Sequence, residues 1–382
     1  MSATRVLVSS SRPAFRPASA AVRNARHIHD ITITRTGKPI YRQGGGRSSL
    51  GGHCVTVFGA AGFLGRYIVS RLARTGCSVV VPYREEMWKR HLKVTGDLGR
   101  ITFLEFDLRN TQSIEESVRH SDIVINLIGR DYETKNFKFW DVHVEGTQRI
   151  VEAVAKYDVD RYIHVSTYNA DLNSPSAFHR TKAQGEIEAR KLFPETTIVR
   201  PSRMWGEEDR LLHMLANKHY LISSNHLREK FWPVHVIDVG KGLEKIAYDD
   251  STAGETFELY GPKQYTMGEI RDLIKKETLQ DNMTHINIPK RLHSLYRSAW
   301  EWIWWPQKCA DEVEREFLDQ VIDPTAKTFK DLGIDKTDDL AEGMFPYIRQ
   351  YRSNKYYDLP PMTEKERMQE RQYWHVQDDY IK

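Results

Sequence analysis

The sequence predicts an α/β fold, a doubly wound parallel sheet with a smaller mixed C-terminal domain. Three observations point there. Apolar runs of strand length alternate with helical stretches from Val55 to about residue 205. A glycine triplet, Gly59, Gly62 and Gly65, punctuates the first strand-to-helix junction. The alternation loosens only after a sixth strand. Strands separated by helices of this length pair in parallel through right-handed crossovers.

The N-terminal segment is set apart by composition. Residues 1–27 carry Arg5, Arg12, Arg16, Arg23 and Arg26 with several serines, and the first acidic residue is Asp30. An Arg-rich, acid-poor leader of this kind reads as a mitochondrial presequence. Its removal takes five of the 56 Lys+Arg and none of the 52 Asp+Glu, so the net charge falls from +4 to 51 − 52 = −1. The basicity therefore belongs to the leader, and nucleic acid is not an expected partner. Residues 28–52, with Gly44–Gly46 and RSSLGG, read as a flexible N-terminal arm.

The elements then follow in order. VTVF is the first strand and RYIVSRLARTG the first helix; CSVVVPY and ITFLEFD are the second and third strands. The helix TQSIEESVRH, the strand DIVINLIG, the helix DVHVEGTQRIVEAVAKY, the strand RYIHVST, a helix around KAQGEIEARKLF and the strand TTIVRPS complete residues 53–205. A smaller domain is expected over 206–340, with 232–250 packing back on the first, and an extended tail over 341–382. No apolar run reaches the roughly 18 residues of a membrane-spanning helix. Cys54, Cys77 and Cys309 form no ligand pattern and no HExxH occurs, so neither metal nor disulfide is expected.

The glycines carry the first functional expectation. GxxGxxG between a strand and a helix is the Rossmann dinucleotide-binding pattern, with the pyrophosphate on the helix N-terminus. The candidate contacts here are Gly59, Ala61, Gly62, Phe63, Leu64 and Gly65. An acid at the end of the second strand would hold the ribose 2′-hydroxyl of NAD. Tyr83 stands there instead, followed by Arg84, and this predicts NADPH. Glu85 and Glu86 alongside could neutralise that arginine. Asp107 and Leu108 close the third strand where adenine would lie, and Leu127, Ile128 and Gly129 close the fourth.

GAAGFLG, FDL, VEGT, HVST, FHRTK, VRPS, VIDVGKG and FELYGP together resemble the extended short-chain dehydrogenase/reductase family, over about residues 53–290. In that family a Tyr-x-x-x-Lys pair performs the chemistry. The resemblance makes Lys182 the lysine and puts Phe178 at the tyrosine position. His143 stands where the family has an asparagine, and Ser166 or Thr167 remains. Lys182, Ser166, Arg200 and Pro201 are implied cofactor contacts, and no residue is expected to be catalytic. Tyr168 is the alternative proton donor. His143 either titrates near neutral pH or packs as a helix histidine.

One branch is more similar still. RQGGGRSSLGG, PYREE, GDLGRITFLEFD, INLIGRDYETKNF, SPSAFHRTKAQGE, DEVEREFLDQVIDPTAKTFKDLGI and YIRQYR resemble the Rossmann-type accessory subunits of respiratory complex I. The resemblance implies a non-catalytic, NADPH-holding subunit, peripheral on the matrix side of the mitochondrial inner membrane. It would support the junction of the matrix and membrane arms. Its partners would be other complex I subunits, and not a second copy of itself. The other reading is a free mitochondrial NADPH-dependent reductase or epimerase, and a third, argued against by the charge, an RNA-binding Rossmann protein. Trp300, Trp302, Trp304 and Trp305, with Tyr296 and Ile303, form no clean helical stripe. They suit either a domain core or a membrane or protein contact, at which Arg291, Arg297 and Lys308 would reach phosphates.

Overall fold

Valine and isoleucine crowd these strands because a strand covered on both faces has no solvent side. The computed structural model describes residues 30–42, 51–218, 220–280, 284–303 and 309–352. After an N-terminal hairpin, β1 (Asp30–Ile33) and β2 (Pro39–Arg42), come six strands. They are β3 (Cys54–Phe58), β4 (Ser78–Tyr83), β5 (Ile101–Glu105), β6 (Ile123–Asn126), β7 (Arg161–Val165) and β8 (Thr197–Pro201). A seventh, β9 (Thr256–Leu259), joins them from later in the chain. Their order is β9-β8-β7-β6-β3-β4-β5, and every pairing is parallel. The winding reverses between β3 and β6, which is where such sheets open a ligand crevice.

Alternation along β3 divides the core. Val55 and Val57 face α1 (Phe63–Arg74), while Phe58 faces the opposite layer, α2 (Thr111–Val118), α3 (Gly146–Lys156) and α4 (Ala177–Leu192). Beside α1 lies α5 (Val236–Tyr248), which brings Val239, Leu243 and Ile246 into the same core. Arg71 of α1 donates to Glu244 at 2.7 Å. The buried Arg161 of β7 donates to the Ile246 and Asp249 carbonyls, at 3.0 and 2.8 Å, so the last turn of α5 is satisfied by the sheet beneath it.

A second lobe surrounds Trp205, Phe231, Ile270 and Met344. It contains the helix Leu211–Asn217 and α6 (Met267–Thr278), which starts in a capping box between Thr266 and Glu269. Two-residue and four-residue strands complete it. After it comes α7 (Lys290–Ile303).

Four sequence expectations change. The arm is not wholly a flexible lead-in. Residues 30–42 are a hairpin fastened by Thr36 N–H to Asp160 (2.8 Å) and by Lys38 to Asp122 (3.1 Å). Its polar sequence hid this because the hairpin is held by hydrogen bonds and buries Ile40 alone among its described residues. Residue 205 does not end the sheet domain, since not only the 232–250 stretch, with α5, but also β9, Phe329 and Leu332 return to it. The tail is not extended from 341. Turns Leu340–Gly343 and Phe345–Ile348 bury Leu340, Met344 and Ile348.

The aromatic segment does form a stripe once leucines are counted. On α7, Leu292 and Leu295 are 60% and 70% exposed and Tyr296 and Trp300 lie on the same side, while His293 and Arg297 are buried. Arg297 therefore turns inward, to His293 (3.1 Å) and Glu312 (3.0 Å), rather than out to phosphates. The presequence, Gly44–Gly46, the Trp302 side chain, Trp304, Trp305, Lys308 and residues 353–382 lie outside the described residues.

Truncating Leu243 to alanine should cost about 2–5 kcal/mol of stability, read as a lowered midpoint in denaturant unfolding. An unchanged midpoint would mean that α5 is not part of this core.

Candidate nucleotide site

The three glycines meet three separate demands. Gly59 has φ +77°, in the left-handed region, and a Cβ on it would stand 3.1 Å from the Leu127 carbonyl carbon at the end of β6. Gly62 precedes α1 in extended conformation and donates its N–H to Gly59 O at 3.0 Å. Gly65 lies against the turn that follows β3, where a Cβ would come within 2.5 Å of Ala60 Cα. The first turn of α1 holds no acidic side chain and no side-chain cap. Its free N–H groups and positive dipole end therefore face the switch point, which suits an anion. Leu64 is buried in the core and offers only its backbone; Ala61 and Phe63 flank the turn.

Tyr83 closes β4 with its ring beneath the Lys89 ammonium, 3.7 Å from the centroid. Arg84 follows with its side chain 63% exposed, 3.5 Å from Glu85. Asp107 is exposed and its carboxylate accepts from Arg109 N–H at 2.9 Å. Leu108 packs on Gly146, whose added Cβ would lie 2.8 Å from it. Ile128 N–H donates to Asn126 at 3.0 Å, which shapes the Leu127–Gly129 turn.

At the other end, Lys182 of α4 is buried and donates to Val165 O at 3.4 Å. Gly129 makes room for it, since a Cβ there would sit 2.8 Å from its Nζ. Burial lowers Lys182 to about 8, against an opposing pull from Glu186. Ser166 Oγ is buried without a partner among the described residues, an orphan that a ligand hydroxyl or amide would satisfy. The residues of this end and of the glycine turn thus fit a dinucleotide laid across the C-terminal ends of β3, β6 and β7. Arg200 does not join them by its side chain. Glu186 takes its guanidinium at 3.0 and 2.6 Å and Asp323 stands at 3.7 Å, so only the backbone of Arg200 and Pro201 is left for such a ligand.

Phe178 sits among aromatic rings, with His143 at 5.4 Å, Phe139 at 6.0 Å and His179 at 5.3 Å between centroids. It has no exchangeable proton. His143 lies in a π-turn, Asp141–Glu145, just ahead of α3. Burial, with Lys182 nearby, holds it well below its usual value, and burial takes His179 down to about 4. Arg130 N–H donates to His143 Nε2 (3.2 Å), so in the neutral ring Nδ1 carries the proton, directed at Thr181 Oγ1 (3.0 Å). Neither nitrogen is left to exchange a proton with a substrate. The packed-histidine alternative describes His143, and the titrating one does not. Tyr168 is held elsewhere, its hydroxyl accepting from Arg203 at 3.0 Å.

His235, Asp238 and Asp338 also come together. Lys241 and Asp338 N–H donate to Asp238 at 2.7 and 2.9 Å, while His235 pairs with Asp338 and with the Tyr347 hydroxyl. Hydrogen bonds account for this cluster.

Residues 55–218 match the NAD dependent epimerase/dehydratase family. The NADH-ubiquinone oxidoreductase 40 kDa subunit of Neurospora crassa is 63% identical over 92% of this chain and 93% of its own length. The chain belongs to that subunit family. Within it, NADH dehydrogenase 1 alpha subcomplex subunit 9 of Mus musculus is 39% identical over 86% of this chain and 87% of its own. The fold reaches further than the family. UDP-glucose 4-epimerase of Thermotoga maritima superposes with a TM-score of 0.60 at 17% identity, covering 78% of this chain and 99% of that one. The Escherichia coli NADPH-dependent quinone oxidoreductase does so at 0.58 and 16%, covering 75% and 97%.

Sequence reading missed Lys89, Phe139 and Thr181, which fix Tyr83 and His143, because nothing in local spacing marks them. It also missed Asp311 and Arg315. Asp311 accepts from Ser176 Oγ and Ala177 N–H, both at 2.7 Å, and so caps the helix that carries Phe178 and Lys182.

Lys182 gives this site a pH signature. Its folded-state value of about 8 lies below the roughly 10.4 of a solvated lysine. Between those values the unfolded chain binds the extra proton, so this residue's contribution to stability rises with pH across that window. Lys182→Met should remove that slope from the pH dependence of the thermal midpoint. An identical slope in the variant would show that the buried ammonium is not its source.

Proposed function

We propose that this chain is a non-catalytic accessory subunit of mitochondrial NADH:ubiquinone oxidoreductase, and that it holds NADPH as a structural ligand. The observation that carries this is a division within one site. The glycine turn, the uncapped start of α1, Lys182 and Ser166 fit a dinucleotide, while the position of the proton donor is taken by Phe178 in a box of rings whose imidazoles are fully hydrogen-bonded or uncharged at neutral pH. General acid–base catalysis is worth about 10²–10⁴-fold, and this arrangement cannot supply it. Reduced nicotinamide would bring hydride chemistry when bound; Lys182 and Ser166 would hold its ribose and orient it.

The absence of an acid at the end of β4, with Arg84 beside it, supports NADPH over NADH. A ligand bound only to the native fold stabilises it by RT ln(1 + [L]/Kd), about 4 kcal/mol at a thousandfold excess. The kinship with complex I subunits supports placement against other subunits of that complex, at the matrix-side arm junction. No helix among the described residues is long and apolar enough to cross a membrane. The outward stripe of α7, with the exposed Arg291 beside it, supports a peripheral contact with lipid headgroups.

Native electrophoresis of mild-detergent mitochondrial extracts tests the reading, with this chain and NADH dehydrogenase activity probed in one lane. Co-migration in a very large band is expected, with NADPH released on alkaline extraction of that band. A free species of monomer or dimer size would overturn it and favour a reductase. Gly62→Leu should empty the site, and Arg84→Glu should weaken NADPH relative to NADH by about tenfold or more, one lost charged contact being worth ~1.5–3 kcal/mol. Wild-type assembly with an empty site would remove the structural role from the nucleotide.

A further inference from the structure

In a sheet of this kind a substrate enters the crevice outside the carboxyl ends of the strands, opposite the dinucleotide. Here that crevice is crossed by residues 309–321. Near its start Asp311 holds Ser176 Oγ and Ala177 N–H at the beginning of α4. One turn on, the Arg315 guanidinium lies 4.9 Å from the Phe178 ring centroid and donates to Asp131 O, beyond the end of β6, at 2.9 Å. Glu316 accepts from Ser224 N–H of the second lobe at 2.8 Å. Asp319 accepts from Lys230 N–H at 2.9 Å, and its carbonyl accepts from Asn169 at 2.7 Å. The buried Gln320 accepts from both Ser202 Oγ (2.6 Å), just past β8, and Trp232 N–H (3.1 Å). The segment is thus bonded alternately to the sheet and to the second lobe.

We infer that residues 309–321 are an intramolecular strap that occupies the substrate crevice and seals the nicotinamide end of the site. This deepens the non-catalytic reading and rests on it. The loss of the tyrosine removes the proton donor, and the strap removes the place where a hydride acceptor would stand. The space left beside the strap agrees. A cavity of about 140 Å³ remains, lined in part by Arg203, Glu229, Arg297 and Glu312. Pockets for drug-sized ligands run to roughly 300–1,000 Å³, and the cations here are already paired, Arg203 with Glu229 at 2.6 Å and Arg297 with Glu312 at 3.0 Å. Ser202 illustrates the closure. It lies beyond the end of a strand, where the fold opens to ligands, yet it is 3% exposed.

The test uses the full-length chain extracted from mitochondria in mild detergent and carrying Ser202→Cys. Labelling of position 202 by N-ethylmaleimide is followed by peptide mass spectrometry. Slow labelling is expected, rising at least tenfold when Asp311→Ala and Gln320→Ala are added. Equal rates with and without those changes, whether fast or slow, would overturn the strap. The buried Cys77 reports folding in the same digest. If the combined variant exposes Cys77, hydrogen exchange in the unsubstituted chain decides instead. The amides of Ala177, Ser224, Lys230 and Trp232 should then open together at one slow rate, and unrelated or fast rates would overturn the inference. Labelling reads the crevice whether or not the chain migrates in a large complex, so this inference and the one it rests on fail separately.

Discussion

The contact between Gly65 and the backbone of Ala60 sets the geometry of the rest. A side chain there would push α1 off the end of β3. With hydrogen alone, the helix lies close enough for its N-terminus to point into the gap where the sheet reverses. It also lies close enough for Ile68, Val69 and Leu72 to share one core with α5. The nucleotide turn and the packing of the sheet's first face are therefore one constraint seen from two sides. The order of the strands around β3 then brings Leu127, Gly129 and Lys182 to the same edge.

Around Phe178 the Arg315 guanidinium is the near cation, 4.9 Å from the ring centroid, and the titratable rings carry no charge. His143 and His179 are kept uncharged by burial, and the nearest ammonium, Lys182, is itself weakened as a cation. Desolvating charge is costly, so the buried imidazoles beside Phe178 stay neutral. An enzyme of this fold would instead need a group poised to exchange a proton at working pH. On the proposed reading, the same packing that lets the site hold a dinucleotide leaves it without a proton donor at the Phe178 position.

Much of this was readable from the residues. The strands from β3 to β8 were legible because apolar runs of four to six residues between amphipathic helices have few other solutions. The glycine turn was legible because each glycine has its own steric reason. What stayed hidden depends on contacts distant in sequence. The hairpin is fixed by Asp122 and Asp160, over eighty residues away. The orientation of Arg200 is decided by Glu186 and Asp323. The outward stripe of α7 went unseen because tryptophans draw attention, while Leu292 and Leu295 complete the pattern and the inward face is polar. A helix that buries His293 and Arg297 while exposing its leucines reverses the usual rule, and only the partners Ser224 and Glu312 explain why.

The late arrival of β9 has a consequence for the life of the chain before it is folded. The sheet ends on a strand at residues 256–259, and one face is covered by a helix at 236–248. Phe329 and Leu332 close the same core later still. A polypeptide delivered N-terminus first, from a ribosome or through a translocation pore, thus has six of its seven strands long before it can finish. During that interval β8 is an open edge and the sheet face beside α1 lacks its α5 cover, both of them templates for association with the wrong neighbour. The long path back to the sheet makes vectorial emergence the vulnerable stage, and it makes chaperone occupancy of the growing chain part of what this topology demands.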